Sequence, residues 1–485
     1  MTDDTISSND DPPLDGSARD AFALDGSTLD ARTDGGGGDT GAKVDADAAH
    51  DAGTPGPVTI RVLAFDGTQY VPASQGVVVF YDPDGTPQSP ISLDATGVVT
   101  ATVLPKSAVT VSTPYPGPPN SPPYDGSLFT YLGIEPGDDL TVDGMYNSRL
   151  IPVSNFATIE IENPTGDAGD PASLFLIGDH CQTMSTAGPP SKDIAAWDYC
   201  SFDGGINVLA MSEIDAKNAV AYAQGSVEQP ADGGTTLSDW AWAPSIPTSL
   251  AISGTLPLTA SQIQIRASLR MGAYCYLAHD DTTRAGDLLH GLANVADGGI
   301  QSPISMGFPG DGFIDNVAYE TDIAYVGRSE CTKIISINPI EEGLSLDATK
   351  VPPLIHDATI SYDDASRTAT ADFVADGDIG QTQGVILEQS FGYGSHAYLW
   401  TIIAPPTSHI VVPALTSELV GGNYPSGAGA LGPPQIRAVS ADGLSSYSDF
   451  RASATSVGTL QITGRWRYDM LPAATTHIRY SSTTL

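Results

Sequence analysis

The chain has 485 residues, with 58 Asp+Glu against 20 Lys+Arg and a net charge of −38. A field of that sign repels nucleic acid and an anionic membrane face, which excludes both as partners. With 51 Gly, 37 Pro and only 16% charged residues, the composition is that of short strands joined by tight turns, and about three or four all-β domains are expected at this length. No stretch reaches the roughly 18 to 20 apolar residues of a membrane helix.

Residues 1–56 are composed differently from the rest. They hold thirteen Asp, three basic residues (Arg19, Arg32 and Lys43) and repeated DG, DA and DAG units. Such a segment cannot bury enough apolar surface to offset chain entropy, so a disordered, self-repelling tether is expected. The run DGGGGDTGAKVDADAAHDAG resembles the Asp/Gly/Ala linkers that follow the lipidated cysteine of bacterial envelope lipoproteins, those of myxobacterium-like genomes in particular. That resemblance implies an envelope, outer-surface or secreted protein. The opening MTDDTISSNDDPP lacks the basic region and apolar stretch of a signal peptide, so the signal and lipid anchor are expected upstream of it.

From Val58 a strand rhythm takes over. VTIRVLA places Val58, Ile60, Val62 and Ala64 on one face, as a half-buried strand requires. GVVVFY follows, closed by DPDGT with Asp82 and Asp84 at the tip of a tight turn. ISLDATGVVTATVLPKSAVTVST reads as two more strands, turning at Asp94 to Gly97 and at Pro105 to Ser107. The series VTIRVLAFDG, GVVVFYDPDGT, LDATGVVTATVLPKSAVTV resembles carboxypeptidase-regulatory-like domains, also called transthyretin-like, over residues 57–113, with Leu93 where that family prefers Thr. The resemblance implies a β-sandwich module of exported proteins, structural or adhesive rather than catalytic.

YPGPPNSPPYDG cannot be a central strand. Beyond it, FATIEIE, ASLFLIG, INVLAMSEI, NAVAYAQGSVEQ and PTSLAISG suggest a second sandwich. IQIRASLRM, YCYLAHD, DIAYVGR and TKIISI suggest a third region, with a short helix at 283–296. Segments from ATISYD to HIRYSS then recur at roughly 10 to 15 residues, the rhythm of an immunoglobulin- or fibronectin-like sandwich. The expected organisation is thus all-β: a disordered tether (1–56), then tandem immunoglobulin-like or transthyretin-like β-sandwich domains at 57–149, 150–255, 256–350 and 351–485. Trp400, set among Leu399, Ile402 and Ile403, belongs to a core.

No motif for catalysis survives inspection of spacing. GxSxG, HExxH and GxxxxGK are absent, and Ser395 and His396 in GYGSH are adjacent, which in a strand sends them to opposite faces. Cys181, Cys200, Cys275 and Cys331 are even in number and form no CxxC. In an oxidising compartment disulfides are favoured over zinc, and the smaller loops favour Cys181–Cys200 and Cys275–Cys331 among the three pairings that four cysteines allow. FPGDGFIDNVAYETD fails the EF-hand register, with Ala318 where the bidentate Glu belongs. Asp311, Asp315, Glu320 and Asp322 remain as calcium candidates in a loop of another design. Trp240 and Trp242 share a strand face: buried they are core, exposed they are a sugar platform. No catalytic residue or cofactor is assigned. The expectation is a monomeric, non-enzymatic, surface-displayed or secreted structural, adhesive or binding protein with a protein or glycan ligand. Its rivals are an exported hydrolase and a carbohydrate-binding module, with the site in 150–350.

Overall fold

The computed structural model describes residues 53–65, 70–114, 124–144, 350–393, 396–425, 431–432, 434–458 and 477–482. Between 156 and 347 it describes the strands named below with residues 164–166, 238 and 240–242. The fold is a tandem series of β-sandwich units, and one strand order recurs through it.

In the first unit, β1 (Gly56–Phe65) lies between β5 (Val98–Val103), its antiparallel partner, and β8 (Asp139–Gly144), to which it runs parallel. β2 (Tyr70–Pro72) extends the β5 side. Against this sheet stands a second, in the order β4 (Ile91–Ser92), β3 (Val77–Tyr81), β6 (Ser107–Pro114), β7 (Tyr124–Ile134). The second unit repeats the plan. β9 (Phe156–Ile161) lies between antiparallel β12 (Lys192–Trp197) and parallel β15 (Thr235–Leu237). Its other sheet runs β11 (Gln182–Thr186), β10 (Ser173–Gly178), β13 (Gly205–Ile214), β14 (Asn218–Glu228), with the two-residue β16 (Ala243–Pro244) antiparallel to β14.

The third unit does so again. β17 (Ile246–Thr255) lies between antiparallel β20 (Gly299–Phe308) and parallel β23 (Leu344–Asp347). The partner sheet is β19 (Tyr274–Arg284), β18 (Ala260–Met271), β21 (Asn316–Tyr325), β22 (Cys331–Pro339). In the fourth, β27 (His396–Ala404), β26 (Gly384–Tyr393), β29 (Gln435–Ala441) and β30 (His477–Ser482) form the four-stranded sheet. Its smaller sheet, β24 (Ile355–Asp363), β25 (Thr368–Ala375), β28 (His409–Val412), is antiparallel throughout.

Pairing departs from the sequence expectation at β17. PTSLAISG is expected at the end of the second sandwich, yet among the described residues β17 hydrogen-bonds with β20 and β23, both of the third. Alternation reveals that a strand exists but carries no information about its partner. The helix expected at 283–296 begins on the last two residues of β19, which are strand, and its remainder, 285–296, lies outside the described residues, as does the proline-rich 115–123.

The four-stranded sheets join edge to edge, and not in chain order. β7 of the first unit runs parallel to β27 of the fourth, and β30 of the fourth pairs antiparallel with β22 of the third. The first and last units therefore share one central sheet, from β4 to β30, buried on both faces. Val78 and Phe80 of β3 enter one core with Phe129, Tyr131, Ile386, Ile403 and Val439. Val79 and Tyr81 enter the other with Leu128, Leu387, Trp400, Ile402 and Ala438. The first core is closed by β1, β5 and β8 through Val58, Ile60, Val99 and Leu140. The second is closed by β24, β25 and β28 through Ile355, Ala371, Phe373 and Ile410. Double-sided burial explains why GVVVFY and AYLWTIIAP are near-continuous apolar runs, while β1, buried on one face, alternates.

Two helices in the last unit reach across to the first. α1 (Ser417–Val420) brings Leu419 and Val420 onto the second core, and Ser112 Oγ of β6 donates to the Leu419 carbonyl at 2.7 Å. α2 (Tyr447–Gly458) opens on Ser446, whose Oγ accepts from the Asp449 N–H at 3.2 Å, while Asp449 Oδ2 accepts from the Ser445 N–H at 3.0 Å. That reciprocal cap satisfies amides that no carbonyl inside the helix can reach. It seats Phe450 directly over Gly384, where an added Cβ would stand 2.2 Å from the ring. Gly384→Ala is expected to displace α2 at a cost of about 1–3 kcal/mol from overpacking, read as a lower urea midpoint. An unchanged midpoint would show that α2 does not hold the unit together.

Candidate functional site

The sheet shared by the first and last units carries several buried polar groups. On one face, Trp400 Nε1 donates to Thr130 Oγ1 at 2.8 Å, and Thr130 and Thr110 join through their hydroxyls at 2.8 Å. Tyr81 lies beside this pair and donates to the Ala414 carbonyl at 3.0 Å; burial pushes its phenol pKa up. The chain of donors and acceptors crosses β3, β6, β7 and β27. Its polar atoms satisfy one another, as low-dielectric surroundings require.

On the opposite face, Glu388 of β26 and Arg437 of β29 form a buried pair, at 6% and 4% exposure, with Nη2 to Oε2 at 2.5 Å. Arg437 Nη2 also donates to Gln435 Oε1 at 2.9 Å. Burial holds the Glu388 carboxyl above the usual carboxylate range, opposed by the charge of Arg437. Nearer the end of this sheet, Tyr447 donates to the Leu132 and Ile403 carbonyls at 2.6 and 3.2 Å, joining α2 to β7 and β27. Arg451 pairs with Asp138 at 2.6 Å and donates to the Gly133 carbonyl, so α2 also holds the turn before β8. At the other edge of the fourth unit, Asp442 takes both Arg479 (2.8 Å) and His477 Nδ1 (2.9 Å). Burial and the Arg479 charge lower the His477 pKa, against the pull of Asp442. Each of these perturbed groups is engaged with another strand, helix or turn, so the arrangement fixes shape.

Exposed titratable pairs sit on the outer side of the small fourth-unit sheet. His409 Nδ1 meets Asp372 Oδ1 at 2.6 Å, and His356 is bracketed by Asp357 (2.8 Å) and Asp376 (3.1 Å), the Asp357 contact chiefly raising its pKa. At the β-turns, Asp84 accepts from the Thr86 N–H at 2.9 Å, and Asp94 accepts from the Thr96 hydroxyl at 2.5 Å and the Thr96 N–H at 2.8 Å, which lowers both carboxyl pKa values. Their role is turn formation.

The residues singled out in the sequence fare unequally. The Cys275–Cys331 bridge is not formed. Cys275 is opposite Arg270 on β18, whereas Cys331 is opposite Ala324, itself opposite Gln262. From Gln262 to Arg270 the strand advances roughly 26 Å at about 3.3 Å per residue, far beyond the roughly 7 Å between Cα atoms that a disulfide tolerates. Proximity in sequence proved a poor guide because β19 and β22 stand at opposite sides of their sheet. Cys331 Sγ lies 3.3 Å from Ser482 Oγ of β30. Cys181 and Cys200 lie outside the described residues, as do Asp311, Asp315 and Ser395. Glu320 and Asp322 occupy register positions opposite Arg266 and Lys333, and among the described residues no group of metal-ligating side chains gathers.

Trp240 is 4% exposed and Trp242 is half-buried. Both flank a bridge that continues the β9–β15 register: Thr165 is opposite Ala241, its N–H donating to the Trp240 carbonyl at 2.9 Å and its carbonyl accepting from the Trp242 N–H at 2.8 Å. The buried Trp240 ring offers no face to a sugar.

No family model and no curated protein matches the chain. Among solved structures, the Bacillus anthracis TIE protein is similar at 10% identity and a TM-score of 0.15, with 60% of this chain and 49% of that protein covered. The chain thus spans about half the length of that protein. The central fibronectin-III array of RIM-binding protein is similar at 10% identity and a TM-score of 0.12, covering 55% of this chain and 81% of the array. The pilus adhesin SpaC from Lactobacillus rhamnosus GG is similar at 10% identity and a TM-score of 0.13, covering 72% and 44%. Scores this low mark no shared overall shape, so the sandwich architecture rests on the strand pairings themselves. No helix among the described residues is long and apolar enough to cross a membrane.

Proposed function

We propose that the chain is a non-enzymatic structural and binding protein of the cell exterior, a tandem β-sandwich array that holds a protein- or glycan-binding surface away from an anchor. The observation that carries this reading is repetition: one strand order recurs in three units, and a fourth sandwich closes on the first through a shared sheet. Recurrent units joined edge to edge bury sheet edges that would otherwise recruit other chains. The acidic composition adds solubility outside the cell, and the tail composition of residues 1–56 suits a spacer.

Treating intact producing cells with a membrane-impermeant biotin reagent, followed by protease shaving, tests it. Labelled chain released by the protease is the expected result. Chain recovered unlabelled in the soluble cell interior would overturn the reading. Immobilised glycan and protein arrays then identify the ligand class.

A further inference from the structure

In each of the first three units the strand that opens the small sheet runs parallel to the strand that closes it. β1 pairs with β8 over Thr59–Ala64 and Asp139–Gly144, beginning with a Thr59 N–H to Asp138 carbonyl bond of 2.9 Å. β17 pairs with β23 over Ile252–Thr255, and β9 with β15 over Ile159–Ile161, extended by the Thr165–Ala241 bridge between the two tryptophans. Parallel pairing puts the entry of the first strand and the exit of the last at opposite ends of one ladder. Tension applied along the chain then slides the two strands past each other, and all the ladder bonds must yield together. An antiparallel pair pulled from one end opens bond by bond instead.

From this geometry we infer that the first three units are tension-bearing, each resisting stretch by shear between its opening and closing strands. The inference rests on the anchored-array reading and adds the load that such an array carries. The ladders rank the units: the six register pairs of the first exceed the four of the third and the three, plus the bridge, of the second. The fourth unit has no such pair in its small sheet, which is antiparallel. It holds instead to β7 and β22 from the side.

Single-molecule pulling on the full chain tests this with handles alone. Handles at Thr54 and Gly144 load β1 and β8 from opposite ends, while handles at Thr54 and Glu135 load them from the same end. The first geometry is expected to rupture at several-fold higher force than the second. Thr59→Pro, which deletes the 2.9 Å bond to Asp138, is expected to lower the force in the first geometry only. Equal rupture forces in the two geometries would overturn the inference and leave the surface-array reading standing. Chain found only inside the cell would overturn the array reading, and the tension-bearing role with it, whatever the rupture forces. The comparison of geometries does not depend on how well the proline variant folds.

Discussion

Replacing Trp400 with alanine is expected to cost about 3–5 kcal/mol and to loosen the first and fourth units together. The side chain is 0% exposed and touches both: its ring packs edge-on to Phe391 at 6.1 Å, and its Nε1 donates to Thr130 on β7. Truncation leaves a cavity and strips Thr130 of a donor. Trp400→Phe keeps most of the volume and loses the donor, so a smaller cost of about 1–3 kcal/mol is expected. Hydrogen exchange provides the decisive readout. If the central sheet is one cooperative unit, amides of β6 and β7 lose protection along with those of β26 and β27. Loss confined to the fourth unit would mean that the shared sheet is a contact between two independent folds.

The second large effect is expected at Arg437. Removing one partner of a buried ion pair strands the other charge, at about 3–5 kcal/mol, so Arg437→Leu destabilises strongly at neutral pH. The direction with pH follows from Glu388, whose carboxyl already binds its proton more tightly when folded than when unfolded. Stability from such a group is fully present below the unfolded pKa and is lost as pH rises from there through the raised folded pKa. Without Arg437 the bias grows, so the variant regains stability toward mildly acidic pH relative to the parent. Glu388→Leu with Arg437→Leu is expected to recover most of the loss, since well-packed apolar residues replace buried ion pairs at little cost. Urea midpoints across the acidic range check all three. An Arg437→Leu deficit independent of pH would show that Glu388 is not the stranded charge.

Strands were legible where burial was simple. Val58, Ile60, Val62 and Ala64 alternate in sequence and are all buried in β1, and Trp400 sits in a core as its neighbours indicated. The turns at Asp82–Thr86 and Asp94–Gly97 were written in their Asp and Gly residues. Partnership was not legible, because the register between β7 and β27 depends on segments far apart in the chain. The ion pair had a faint trace: a lone Glu in QGVILEQS and a lone Arg in QIRAVSA, each inside an apolar run. The α2 cap was also readable, as Ser446 followed three residues later by Asp449. The residues that follow it, FRASATSVG, carry a weak apolar stripe, so periodicity does not mark the helix.

The sharing of one sheet by the first and last units has a consequence for synthesis. The face carrying Val79, Tyr81 and Leu128 is finished when β7 leaves the ribosome, yet the strands that cover it begin only at Ile355 and its sheet partner β27 only at His396. At about 5–20 residues per second, the roughly 260 residues between β7 and β27 occupy on the order of 10–50 s. For that interval the nascent first unit displays an apolar flank and an unpaired β7 edge. A holding chaperone, or export before folding, must cover what the last unit has yet to reach.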